Sequence, residues 1–138
     1  AGANPISLSL GSDGDSPFLY SLIRDAASKG IVFIGAAGNS PVTTPFYPAA
    51  YPEVMAVTAV DQGQLASYAN RGSFVSLGAP GTSVIYFNGQ PYYVTGTSVS
   101  AAFISGIAAG YLDSTHNSIS QMQAFLRSNF GVKITPSR

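Results

Sequence analysis

The stretch Thr95-Gly96-Thr97-Ser98-Val99-Ser100-Ala101 joins a β-rich run to a helical pattern, and it decides the fold. Aromatic and β-branched residues from Tyr92 to Thr95 predict a strand that stops at Gly96, and a helix is predicted from Thr97 or Ser98. First-turn N–H groups lack intrahelical partners and favour negative charge. A Ser98 hydroxyl there is suited to attack a carbonyl and to have the resulting oxyanion stabilised nearby. The simpler interpretation is that Thr97 or Ser98 only caps the helix.

Strand and helix patterns alternate along the rest of the chain. Ile6 to Leu10 alternates apolar and polar residues, as a strand with one buried face does, while Ile31 to Ile34 is continuously apolar, as in a parallel strand covered on both faces. Val54 to Val60 predicts another strand. Val84 to Phe87 and Tyr92 to Thr95 predict a hairpin around Asn88-Gly89. The order predicts a doubly wound α/β layer.

Three helices are predicted from apolar spacing and end signals. The first is capped by Asp15 or Ser16, and the last starts at a capping box, Ser118-x-x-Gln121. The tail from Ile134 to Arg138 is expected to fray. The predicted inward residues are Leu19, Leu22, Ile23, Ala26 and Ala27 in the first helix; Val99, Ala102, Phe103, Gly106, Ile107 and Gly110 in the second, which is expected to be buried centrally; and Ile119, Met122, Phe125, Leu126 and Phe130 in the third.

Asn39 follows a strand and a run of small residues, Gly35 to Gly38, which let the backbone and a ligand approach closely. Its side-chain NH₂ is suited to donate to a developing oxyanion. The alternative is an ordinary turn asparagine, and the presence of Ser98 favours the first interpretation.

Four ordered segments resemble subtilisin-like serine proteases. Gly96 to Ala101, followed by Gly106, resembles their nucleophile segment, and Ser7 to Gly11 resembles their substrate-binding strand. Ala36 to Asn39 resembles their oxyanion segment, and Tyr47 to Val57 the run after it. The resemblance implies a three-layer αβα fold with a mostly parallel sheet, truncated at its N-terminal side. Residues 1–138 would then be the C-terminal portion of a subtilisin-like catalytic domain.

The resemblance also implies roles for individual residues. Ser98 would be the nucleophile, with Asn39 and the Ser98 N–H as oxyanion donors. It further implies a cis Tyr47-Pro48 bond, no cofactor beyond a weak cation near the carbonyls of Ala49, Tyr51 and Val54, and a secreted or extracytoplasmic protein. The substrate-binding residues it implies are Ser9, Leu10, Gly11, Ala36, Ala37 and Gly38.

A serine nucleophile needs a base, and the base needs an orienting acid. The family's acid and histidine motifs are both missing: Asp13-Gly14-Asp15 does not match the acid motif, and no histidine precedes Ser98. Asp113 and His116 follow Ser98 in the order used by α/β-hydrolases. A continuing helix, however, would put them more than ~20 Å from Ser98. The isolated chain is therefore predicted to be an inactive part of a serine endopeptidase.

Composition limits the partners. Charged residues make up 9% of the chain and the formal net charge is zero, so neither nucleic acid nor an acidic membrane surface is an expected partner. The expected partners are a polypeptide substrate and an N-terminal part carrying the missing Asp and His, with self-association through an exposed strand edge. Two alternatives stay open, a non-catalytic peptide-binding module and a subunit of a split or processed protease.

Overall fold

A mostly parallel sheet forms the centre of the structure, a computed structural model that describes residues 2–133. The predicted fraying tail, residues 134–138, lies outside the described residues. In chain order the elements are β1 (Ile6–Leu8), α1 (Pro17–Ser28), β2 (Phe33–Ala36), β3 (Val54–Asp61), β4 (Gln64–Leu65), β5 (Leu77–Pro80), β6 (Thr82–Phe87), β7 (Gln90–Thr95), α2 (Thr97–Thr115) and α3 (Ile119–Phe130).

Strands β1, β2, β3 and β5 run parallel. Ile6 pairs with Phe33, Phe33 with Val54, and Val57 with Leu77. The short β4 pairs antiparallel with the end of β3. Within residues 2–133, β1 has β2 as its only sheet neighbour, so it lies at an edge of the described sheet. The predicted strand at Ile31–Ile34 begins two residues later, at Phe33.

Helices cover both faces of the sheet, which gives the predicted three-layer αβα fold. Side chains on neighbouring strand residues point to opposite faces. Phe33 and Val54 pack with Ile23 of α1, whereas Ile34 and Met55 pack with α2 and α3. Among residues 2–133 no helix is both long and apolar enough to cross a bilayer.

The first and third helices begin where the sequence predicts. Ser16 is the N-cap of α1 and accepts a hydrogen bond from the Leu19 N–H. Ser118 and Gln121 form the predicted capping box of α3. One predicted core residue of α1 is wrong: Leu22 is 51% exposed, because Ile23 beside it faces the sheet.

The buried face of α2 differs from the predicted one. Thr97, Ser100, Ala101, Ile104 and Ala108 are buried, whereas the predicted inward residues Ala102, Phe103, Gly106 and Gly110 are exposed. Small and apolar residues occur all around this helix, so its hydrophobic pattern does not define one side. Helix α2 is therefore buried on one side only, whereas the sequence predicts central burial, and its other side is an apolar face exposed to solvent.

The hairpin of β6 and β7 matches the prediction. Thr82 pairs with Thr95 and Phe87 with Gln90, and both turn residues have positive φ, +49° at Asn88 and +76° at Gly89. Such a pair is typical of a type I′ turn. Large side chains of the hairpin are exposed, including Tyr86, Phe87 and Tyr93.

Candidate active site

The hairpin leads directly into α2 at Gly96, where the Gly96 N–H donates to the Gly81 carbonyl at 2.8 Å. Gly96 is the N-cap residue and makes no side-chain cap. The interpretation of Thr97 or Ser98 as a simple cap is therefore wrong: they occupy the first two helical positions. The half-buried Ser98 donates no backbone hydrogen bond within residues 2–133, so its N–H is free for an incoming acceptor.

The Asn39 amide is held in one orientation. Its Oδ1 accepts hydrogen bonds from the Thr97 N–H at 2.9 Å and from the Thr97 hydroxyl at 3.0 Å. Since both partners are donors, they require the oxygen on that side and direct the NH₂ group away. Within the described part of the chain the Asn39 Nδ2 donates to no protein group. It lies 3.2 Å from the point a Cβ at Gly96 would occupy, beside the start of α2.

Thr97 connects this amide to the segment from Ala36 to Asn39. Its side chain is fully buried, and its Oγ1 also accepts a hydrogen bond from the Gly38 N–H at 3.1 Å. The one hydroxyl thus fixes Gly38 and Asn39 against the first residue of α2. The sequence interpretation missed this role, although Thr97 stands in the quoted motif, because its partners lie about 60 residues away.

Asn70 is a second residue that the sequence interpretation missed. It is buried, its Nδ2 donates to the Ala37 carbonyl at 2.8 Å, and its Oδ1 accepts from the Ser40 N–H at 2.9 Å. Gly38 has φ of +106°, and a side chain there would overlap the Asn70 amide. Asn70 therefore forms hydrogen bonds on both sides of Gly38 and Asn39 and fixes the backbone that carries the Asn39 side chain.

A crevice of about 190 Å³ opens where these elements meet. Ser98 and Asn39 both line it, and five of the six predicted substrate-binding residues do so as well. Ala37, the sixth, is fully buried and its carbonyl is bonded to Asn70, so it lies behind the crevice wall. The Ser9 hydroxyl donates to the Ser98 carbonyl at 3.2 Å. The lining residues are Ser9, Leu10, Gly11, Ala36, Gly38, Asn39, Phe46, Thr97 and Ser98.

A second cavity, of about 470 Å³, reaches Ser98 from the side of the hairpin and the exposed face of α2. Phe103, which is 46% exposed, and Ile85 contribute to its apolar surface. Ser98 therefore lies between a narrow crevice and a wider apolar cavity. The full lining is Pro80, Thr82, Ser83, Ile85, Val94, Ser98, Val99, Ala102 and Phe103.

The described residues place no acid or base beside Ser98. Neither cavity is lined by Asp, Glu, His or Lys from residues 2–133. His116 is the exposed C-cap of α2, and a rise of ~1.5 Å per residue puts it roughly 27 Å from Ser98. Asp113 lies in the last turn of the same helix, so neither residue reaches the Ser98 hydroxyl.

At the expected weak cation site one feature opposes cation binding and one favours it. The Tyr51 carbonyl already accepts the Val54 N–H at 2.9 Å, which reduces its capacity as a ligand. Glu53, between them, has a buried Oε2 that no described residue hydrogen-bonds, and a hard cation would satisfy such an oxygen. Among the described residues no group of three or more His, Cys, Asp or Glu side chains is placed to hold a metal. The nearby Tyr47-Pro48 bond is cis, as expected.

Two tyrosines have raised pKa values. Burial is the main cause that raises the pKa of Tyr51, whose hydroxyl donates to Asp15 at 2.8 Å. Burial also raises the pKa of Tyr68, with a further contribution from the negative charge of Asp61. The Tyr68 hydroxyl contacts the Gly81 carbonyl at 3.3 Å. Both phenols are thus kept neutral as structural hydrogen-bonding groups.

Comparisons with known proteins agree with this geometry. A thermophilic serine proteinase of Bacillus sp. (strain AK1) is 40% identical over 127 residues, covering 90% of this chain and 32% of the relative. The minor extracellular protease Epr of Bacillus subtilis (strain 168) is 37% identical over 99 residues, covering 70% of this chain and 15% of the relative. The solved structure of the S41 psychrophilic protease superposes with a TM-score of 0.77 at 28% identity, over 90% of this chain and 48% of that one.

The chain therefore spans less than half the length of each of these relatives. The model of the Peptidase_S8 subtilase family matches residues 1–131. This match covers nearly the whole chain, and together with the fold and the junction at Ser98 it shows that the protein belongs to the subtilase family.

Proposed function

We propose that this chain is the nucleophile-bearing part of a serine endopeptidase. The observation that supports this most is the double contact of the Asn39 Oδ1 with Thr97. This contact directs the Asn39 NH₂ away from Thr97, so that within residues 2–133 the NH₂ group and the Ser98 N–H are two donors without a protein partner on one small crevice, at the start of a helix that carries a serine hydroxyl. Preorganised donors of this kind stabilise the charge that develops in acyl transfer.

In the proposed reaction the Ser98 Oγ bonds to the carbonyl carbon of a peptide while its proton passes to a base. The carbonyl oxygen becomes an oxyanion that accepts hydrogen bonds from the Asn39 Nδ2 and the Ser98 N–H. The C–N bond then breaks, the leaving amine takes the proton, and the acyl group remains on Ser98 until water releases it as an acid. Ser9, Leu10 and Gly11, which follow β1, would bind the peptide by strand addition.

The base and its acid would come from a polypeptide part that precedes this chain in the assembled enzyme. The exposed apolar face of α2 and the 470 Å³ cavity beside Ser98 support this, because an apolar surface of this kind is typical of an interface. A part packed there would reach the Ser98 hydroxyl from the side opposite Asn39. The chain alone would then have no appreciable peptidase activity. Like the minor extracellular protease Epr, to which the chain is similar, the assembled protein would act outside the cytoplasm.

The test is an assay of an unstructured protein substrate by the chain alone and by the chain co-expressed with the polypeptide encoded immediately upstream. The co-expressed pair should be active and should react with a fluorophosphonate, and Ser98→Ala should abolish both. Asn39→Ala should lower kcat about 10²- to 10³-fold, the size found for removing one such donor in a subtilisin of this family. Asn129→Ala, on the exposed outer side of α3, is the matched control and should leave kcat unchanged. Activity of the chain alone that Ser98→Ala removes would refute the need for a second part.

A non-catalytic peptide-binding module is the second candidate. It is favoured by the formed crevice next to a site without any titratable lining residue among the described ones. Such a module would bind peptides equally well after Ser98→Ala and would not react with a fluorophosphonate, even in the co-expressed pair. A subunit of a split or processed protease would instead co-purify with its catalytic complement from the native source.

A further inference from the structure

The Phe46 ring lies across the crevice that holds Ser98. A methyl group added at Gly11, on one wall, would overlap the ring, and one added at Gly38, on a second wall, would come within 3.2 Å of its Cδ1. The ring therefore packs directly against the backbone of both walls. The two glycines make room for it, and space that a substrate side chain could use is already filled by the protein.

The backbone around Phe46 is fixed, so the ring does not move away cheaply. The next residue, Tyr47, forms two hydrogen bonds with Ser12, both 2.8 Å long. The Phe46 carbonyl accepts from the Ala50 N–H, also at 2.8 Å. The ring itself is half-buried. Displacing it would require a rotamer change against two walls that are already in close contact.

The space that remains is small and uncharged. At about 190 Å³ the crevice lies below the ~300 to 1,000 Å³ typical of pockets for larger ligands. Among the described residues, its lining contains no charged side chain that could pair with a lysine or arginine of a substrate. A side chain entering beside Ser98 therefore meets the Phe46 ring in a small space and finds no ionic partner among the described residues.

We propose that Phe46 determines specificity by restricting the residue before the scissile bond to small neutral side chains, those of glycine, alanine and serine. This inference rests on the proposed function, because it assumes that the crevice receives the acyl side of a peptide. A benzyl or isobutyl side chain would have to displace the ring or stay outside the crevice. In either position the scissile carbonyl would lie away from Ser98.

The kinetic test uses the co-expressed, active pair and two peptides that differ only in alanine or phenylalanine before the scissile bond. The wild type should cleave the alanine peptide with a kcat/KM about 10²-fold higher, the size of discrimination that hydrophobic pockets give. Phe46→Ala should cut this ratio at least tenfold, chiefly by improving the phenylalanine peptide. Phe18→Ala removes a 74% exposed ring on α1 and should leave the ratio unchanged. A wild type that favours the phenylalanine peptide would overturn the proposal, even if Phe46→Ala fails to fold.

A binding test separates this proposal from the proposed function. Peptides that end in alanine or phenylalanine are titrated into the chain carrying Ser98→Ala, with and without Phe46→Ala, and binding is followed by NMR. If the alanine peptide binds more tightly and Phe46→Ala removes this preference, while the wild-type co-expressed pair cleaves no peptide, the role of Phe46 is supported and the peptidase is refuted. If the co-expressed pair cleaves peptides but the alanine peptide does not bind more tightly, the peptidase is supported and the role of Phe46 is refuted. Binding of neither peptide would also overturn the proposal, since it needs an accessible crevice.

Discussion

Replacing Thr97 with valine tests the contact on which the site depends. Valine has nearly the same shape as threonine but lacks the hydroxyl. The change removes two hydrogen bonds, one donated to the Asn39 Oδ1 at 3.0 Å and one accepted from the Gly38 N–H at 3.1 Å. The Asn39 oxygen keeps the Thr97 N–H as a partner, whereas the buried Gly38 N–H is left without one.

The expected loss of stability follows from that difference. A typical hydrogen bond contributes ~0.5 to 1.5 kcal/mol net, and a buried donor left unpaired costs ~1 to 3 kcal/mol. Counting the first for Asn39 and the second for Gly38, Thr97→Val should lower the free energy of unfolding by about 1.5 to 4.5 kcal/mol. This is a large part of the ~5 to 15 kcal/mol that domains usually have.

Urea unfolding measures the effect. The midpoint should fall by roughly 1 to 2 M with an unchanged slope, if the slope is ~2 kcal/mol per M, the middle of the usual ~1 to 3. Thr97→Ser keeps the hydroxyl and should cost less than about half as much. Thr95→Val breaks only the exposed 3.2 Å contact with Thr82 and should cost no more than ~0.5 kcal/mol. The reasoning would be refuted if Thr97→Val cost no more than Thr95→Val, or if Thr97→Ser cost as much as Thr97→Val.

Three further changes test other parts of the structure. Gly38→Ala should lower the free energy of unfolding by at least ~3 kcal/mol, because φ at Gly38 is positive and the added methyl group would overlap Asn70. Gly63 also has positive φ but lies in open space, so Gly63→Ala should lower it by only ~1 kcal/mol. Equal losses of stability in urea unfolding would contradict this difference. Burial raises the pKa of Tyr51, so the unfolded chain ionises first, and stability that is intact below about pH 10 is lost as the pH rises through the folded pKa. Tyr51→Phe should flatten this alkaline loss in melts at stepped pH, and an unchanged slope would count against it. Phe103→Ser should weaken self-association in sedimentation, because this ring is 46% exposed on the apolar face of α2; identical association would exclude that face as the contact.

Features that depend on neighbours in sequence could be predicted. The cap at Ser16, the capping box at Ser118 and the turn at Asn88-Gly89 each involve residues within four positions, so their residue types were informative. The α/β layer followed from the alternation of strand and helix patterns. The buried side of α2 could not be predicted in this way, because apolar and small residues occur on every side of the helix.

The site was predictable where it resembles a known motif and not where it depends on long-range packing. Ser98 and Asn39 were proposed from the resemblance, and the structure brings both to one crevice. The two hydrogen bonds of Asn70 join segments about 30 residues apart, and no local sequence pattern indicates such a pairing. Phe46 lies in an irregular, proline-rich loop without periodicity, so its position against Gly11 and Gly38 emerges only when the chain is folded.

The most direct test of the central claim is a crystal structure of the co-expressed pair with a peptide boronic acid. We expect a bond between boron and the Ser98 Oγ, with one boronate oxygen ~2.7 to 3.1 Å from both the Asn39 Nδ2 and the Ser98 backbone nitrogen. The Asn39 Oδ1 should still accept from Thr97. An adduct on another residue, or a boronate oxygen bound away from the Asn39 amide, would contradict the proposed catalytic site.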